Sequence, residues 1–164
     1  MSILRSVGSV LAAFVASAAL AAEARIEVAR IVDQAAAEAI LGVPVKPSTP
    51  VNVEGKDGYY SKCNYYSVAP GKLLILRFYQ AAAGFDVKTE LDQVRATSGL
   101  SKTISGLGDR AEMEAGAASG FSNDVTMLYV IKGNALLTVG LRGLDEEAAG
   151  AKAKSIAQKI LERL

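Results

Sequence analysis

Glu112 and Glu114 stand two residues apart in the alternating stretch Ala111-Glu-Met-Glu-Ala115, a spacing that puts both carboxylates on one strand face. Two carboxylates held together can perform general acid–base hydrolysis, one protonated and one charged. No third polar group nearby completes a constellation, so a solvated strand face is the simpler expectation. Composition limits chemistry elsewhere. The 164 residues include no His and one Cys. Without imidazole there are no Ser-His-Asp or Cys-His nucleophile pairs, and nearly every zinc site is excluded too. Asp86, Glu90 and Asp92 fall around a helix start, where carboxylates cap and solubilise. No acidic run has the spacing of a calcium loop. No catalytic residue, metal or cofactor is therefore assigned.

Gly106-Leu-Gly-Asp-Arg110 is the most motif-like stretch. A phosphate-binding Gly-x-Gly needs a strand before it and a helix N-terminus directly after it, whereas here a short strand follows. The stretch reads as a turn, with Asp109 bonding to local backbone amides and Arg110 pairing with Asp109 or Glu112.

The tyrosines are the recognition candidates. Tyr59, Tyr60, Tyr65 and Tyr66, with Tyr79 from the following strand, gather five of the six at one hairpin. Tyrosine joins apolar area to a hydrogen-bonding tip, which suits a binding surface. Alternation puts Tyr59, Ser61, Cys63 and Tyr65 on one face and Tyr60, Lys62, Asn64 and Tyr66 on the other. Replacing both Tyr60 and Tyr66 with Ser should weaken binding and spare the fold. Cys63 has no partner in the chain, so it is either a buried small hydrophobe or a thiol free for an intermolecular bridge in a homodimer.

Several elements must position these groups. Arg5 precedes an uncharged run that includes the 11-residue apolar stretch Val10–Leu20, and Ala19-Leu-Ala21 supplies small residues at the −3 and −1 positions. This is the pattern of a secretory leader and is too short for a membrane span. Residues 1–22 are expected to be a cleaved signal peptide, with residues 23–164 a single exported, periplasmic α+β domain. Overall charge is +1, and removing Arg5 with the leader leaves 17 basic against 17 acidic residues. A neutral surface does not favour nucleic acid or anionic lipid.

Asp33 reads as the N-cap of a short helix stopped by Gly42. Arg25–Val32 fits neither helical nor strand period and is read as a lead-in or an N-terminal strand. A short strand is expected at Val51–Val53, then a hairpin of Tyr59–Ser67 and Leu73–Tyr79 joined through Pro70-Gly71. Asp86–Arg95 reads as a helix with Val87, Leu91 and Val94 inward and Gly99 as its stop. Ala111–Ala115 is a strand, and Gly116–Asp124 a loose loop. Val125–Ile131 and Ala135–Val139 flank Lys132-Gly-Asn134 as a hairpin of strands covered on both faces. Asp145-Glu-Glu opens a last helix whose stripe includes Ala149, Ala153, Ile156, Ala157, Ile160 and Leu161. The sum is an antiparallel sheet of five or six strands flanked by helices.

Asp33-Gln-Ala-Ala-Ala-Glu-Ala-Ile-Leu-Gly-Val-Pro44, the Cys63-Asn-Tyr-Tyr66 hairpin, Ser105-Gly-Leu-Gly-Asp-Arg-Ala111 and the closing Ala-x-x-Ile-Ala-x-x-Ile-Leu helix resemble small exported bacterial proteins of uncharacterised function with a PsbP-like α/β/α sandwich. Those relatives often carry two cysteines and a lipid-anchor Cys, and this chain has neither feature. The resemblance implies an accessory or interaction role and no site to carry over. The functional expectation is a non-enzymatic periplasmic protein binding a protein partner or small ligand of the cell envelope. An envelope hydrolase using Glu112 and Glu114 is the alternative.

Overall fold

The computed structural model describes residues 25–98, 101–115 and 125–164. The expected leader, Gly99, the side chain of Val94 and the expected loop at 116–124 lie outside the described residues.

Helices and strands follow the chain as α1 (Val28–Ile31), α2 (Gln34–Leu41), β1 (Val51–Glu54), β2 (Gly58–Tyr66), β3 (Leu73–Ala81), α3 (Val87–Ser98), β4 (Lys102–Ile104), β5 (Arg110–Ala115), β6 (Val125–Lys132), β7 (Ala135–Arg142) and α4 (Glu146–Leu161). All strands join one antiparallel sheet in the order β1-β2-β3-β7-β6-β5-β4. Two meanders, β1–β3 and β4–β7, meet where β3 pairs with β7. Between them α3 carries the chain from the sheet's middle to its far edge.

Local chemistry sets the ends of these elements. The Asp33 carboxylate accepts from Ala36 N at 2.8 Å, and α2 stops at Gly42 in the left-handed region at φ 69°. The Asp145 carboxylate accepts from Ala148 N at 2.8 Å to start α4. The Lys72 and Lys132 ammonium groups donate to the last carbonyls of α2 and α4, Leu41 O and Leu161 O, at 2.8 Å each. Gly133 takes φ 58° as the first residue of the two-residue β6–β7 loop, the position that asks for glycine in a type II′ turn.

A core forms on each face of the sheet. On one side α1, α2 and α4 cover Tyr59, Cys63, Tyr65, Leu74, Leu76, Phe78, Leu128 and Leu137. On the other, Val87 and Leu91 of α3 pack on Ile75, Tyr79, Met127, Tyr129, Ile131 and Leu136. Covering both faces explains why β6 and β7 are buried at nearly every position. The expected α+β class holds.

Three expectations need correcting. The sheet has seven strands, because the three-residue β4 is too short to show a period. Arg25–Val32 holds the single helical turn α1 rather than a strand. It is pinned where Val28 N donates to Ser61 Oγ at 3.0 Å and Tyr65 OH to Val32 O at 2.5 Å. Glu112 and Glu114 are not solvated: they are 4% and 1% exposed. Alternation located their face but not its burial, in which Glu112 is held by Arg110 and Ser101.

Candidate functional site

The sheet face under α3 is built from alternate residues of four strands. Lys62 stands opposite Arg77, Arg77 opposite Thr138, and Thr138 opposite Tyr129, a polar row across β2, β3, β7 and β6. Beside it runs a second row in which Tyr60 opposes Tyr79, and Tyr79 opposes Leu136. α3 covers only part of this surface. What it leaves open is a cleft of about 860 Å³, with Pro47–Thr49 and Glu90 of α3 completing its lining. That size suits a small organic ligand.

Tyr60 and Tyr79 stack with ring centroids 4.6 Å apart and planes 18° from parallel. Asp57 anchors both: Tyr60 OH donates to its carboxylate and Tyr79 OH to its backbone carbonyl at 2.9 Å. Tyr66 is half exposed at the open end, with its hydroxyl 3.5 Å from Asn64 Nδ2. Tyr129 is 4% exposed, and its hydroxyl makes no hydrogen bond among the described residues.

The five candidate tyrosines therefore split. Tyr60, Tyr66 and Tyr79 line the cleft, while Tyr59 and Tyr65 point into the helix-covered core. Tyr129, which sequence reasoning missed, takes their place. It sits within the apolar run of β6, and its place in the row follows from the strand register, which no local pattern signals. Tyr60 also proves structural, through its stack and its bond to Asp57. The Tyr60/Tyr66 double serine change would thus disturb the fold, whereas Tyr66→Ser alone touches only the cleft. Cys63 is 1% exposed in the opposite core. Of the two expected alternatives the structure shows the buried small hydrophobe, and bridging the thiol to a second chain would require opening that core.

Electrostatics distinguish this face. Lys62 and Arg77 are both exposed, directly opposed on neighbouring strands, and without an ion pair among the described residues. Opposed like charges cost a sheet roughly 0.2–1 kcal/mol. Lys62→Glu should therefore raise stability by a comparable amount, read as a higher urea midpoint at unchanged m-value.

Burial raises the phenols. Tyr129 is pushed up to about 12 by desolvation and by the Glu114 carboxylate, with Arg77 pulling the other way. Desolvation first, then Asp57, holds Tyr60 well above the ordinary phenol range. Tyr59, Tyr65 and Tyr79 are also raised, in each case chiefly by burial. The neutral phenol is thus the form that the fold favours. Its contribution is complete below the unfolded value of 10.0 and is lost as pH rises through the folded values. The urea midpoint should fall between about pH 10 and 12, in step with tyrosinate absorbance.

The carboxylate pair lies outside the cleft lining. Glu112 is bound by Arg110, with Nη2 at 2.7 Å and Nε at 2.8 Å, and accepts from Ser101 Oγ at 2.8 Å. Arg110 also reaches Asp92 of α3 at 3.7 Å. The Arg110–Glu112 pairing is as expected. Asp109, however, serves a distant turn: its carboxylate accepts from Gly133 N at 2.7 Å. The Gly106–Arg110 stretch thus joins β5 to the β6–β7 turn and to α3. Among the described residues no cluster of His, Cys, Asp and Glu could hold a metal ion. No helix among them is long and apolar enough to cross a membrane.

Compared with known proteins, the chain matches no protein family, no curated protein and no solved structure.

Proposed function

We propose that this chain is a non-enzymatic accessory protein, exported to the periplasm by residues 1–22, that binds a small ligand in the cleft beside α3. The observation that carries the reading is the make-up of the cleft: tyrosine rings and two directly opposed cations without an ion pair among the described residues, with no nucleophile–base pair among its lining residues. Aromatic walls with a few placed polar groups are what ligand sites use. The PsbP-like resemblance supports the same accessory role.

The hydrolase alternative draws support from the burial of Glu112 and Glu114. Against it stand the Arg110 pairing of Glu112 and the fact that neither carboxylate is among the residues lining the cleft.

The test is a thermal-shift screen of small molecules on the wild-type protein and on Asn64→Trp, where an indole would fill the cleft from its open side. A ligand at about 100 times its Kd adds ~2.7 kcal/mol. Compounds that raise the wild-type Tm and not that of Asn64→Trp support the reading. Stabilisers acting equally on both would overturn it, as would a screen without any stabiliser.

A further inference from the structure

The chemistry of the cleft narrows what it can hold. Its polar row begins with two opposed cations, an arrangement that opposes folding and that a bound anion would relieve. Arg77 lies within electrostatic reach of the Tyr129 phenol, whose hydroxyl has no hydrogen-bond partner among the described residues and can donate to the same anion. The Glu114 carboxylate acts on that phenol in the opposite sense to Arg77, and Glu90 is a second negative group. It lines the cleft close enough to Tyr79 to influence that phenol, so a negative group is repelled from the α3 end and directed toward Lys62 and Arg77. Along the strands the cation row is flanked on one side by the Tyr60–Tyr79 stack and Leu136 and on the other by Met127 and then Tyr66, apolar surface rich in rings.

We propose that the cleft binds an aromatic organic anion, with its charged group on Lys62 and Arg77 and its rings against the Tyr60–Tyr79 stack. The proposal rests on the cleft being the binding site and adds the ligand's class. Guanidinium, ammonium and phenol together offer the donors that a carboxylate or sulfonate accepts, and charge-assisted bonds are the stronger kind.

The experiment compares two fluorescent naphthalenes of similar shape, the anionic anilinonaphthalene sulfonate and the neutral phenylnaphthylamine. They are titrated into wild type, Asn64→Trp and the double variant Lys62→Gln/Arg77→Gln. Both cations are exposed, so the double variant keeps its core, and an unchanged cooperative melt verifies this. The sulfonate should bind wild type with one site and lose about 10–100-fold in affinity in the double variant, the worth of charge-assisted bonds to one anionic group. The neutral dye should bind wild type more weakly and the double variant no differently. Naphthoate should displace the sulfonate at lower concentration than laurate does. Equal affinity for both dyes, or sulfonate binding indifferent to the cations, overturns the anion assignment while leaving the cleft intact. Stronger displacement by laurate overturns the aromatic assignment. If neither dye binds, or Asn64→Trp binds both unchanged, the cleft itself is refuted.

Discussion

Arg110→Met should lower stability by about 3 kcal/mol, the low end of the range for breaking a buried ion pair, because the arginine is itself partly exposed. The Glu112 side chain is 6% exposed and the Arg110 side chain 33%. Removing the guanidinium takes from a buried carboxylate its two contacts at 2.7 and 2.8 Å, and with them a large part of what offsets its desolvation. The loss comes from the weaker compensation of a buried charge rather than from the pair's own worth. Adding Glu112→Leu to Arg110→Met should therefore recover most of it. Urea unfolding of wild type, both single variants and the double variant closes the cycle. If the double variant loses as much as the two single variants combined, the two residues act independently and the ion pair is not what matters.

The second large effect lies two residues upstream. Gly108 has φ +62°, and a Cβ there would come 2.4 Å from Ile131 O and 2.7 Å from Val130 Cγ1. The obstructing oxygen is held, since Asp109 N donates to it at 2.7 Å. Gly108→Ala must therefore displace backbone and weaken the β5–β6 junction. The left-handed conformation alone costs an L-residue roughly 1–2 kcal/mol, and overpacking adds ~1–3 kcal/mol. Gly106 is the control. It has φ +75° with nothing within 4 Å of its added Cβ, so Gly106→Ala should lose only the conformational share. Equal losses at both positions, measured by urea unfolding, would show that the approach of Gly108 to β6 does not matter.

Both effects belong to a stretch that resembles a phosphate-binding motif on paper. Its glycines serve chain reversal and close approach, Asp109 holds the β6–β7 turn, and Arg110 neutralises a buried carboxylate. A Gly-x-Gly pattern signals backbone freedom, and the surrounding elements decide whether that freedom serves a ligand or a turn.

Much of the fold was legible because short-range chemistry writes it plainly. Asp33 and Gly42 bracket α2, Asp145 opens α4, and Gly133-Asn134 turns β6 into β7, each through interactions within a few residues. What escaped depends on distant partners. β4 is a strand because β5 offers it an edge at Thr103 and Glu112, not because three residues have a period. Alternation located the face of Glu112 but could not reveal what covers it. The candidate face was half visible: even-numbered β2 residues were grouped correctly, yet all five tyrosines were pooled although they point to opposite sides. The opposition of Lys62 to Arg77, and the place of Tyr129 in the same row, require the β2–β3–β7–β6 register. Two hairpins and a junction between non-consecutive strands set that register, and no local pattern encodes it.

That the working surface is the sheet face beside α3 is tested most directly by amide chemical-shift mapping of the folded protein titrated with anilinonaphthalene sulfonate. The largest perturbations should fall on Tyr60, Lys62, Asn64, Arg77, Tyr129 and Thr138, with α1, α2 and α4 unmoved. Perturbations centred on the helix-covered face, or spread evenly through both cores, would contradict it.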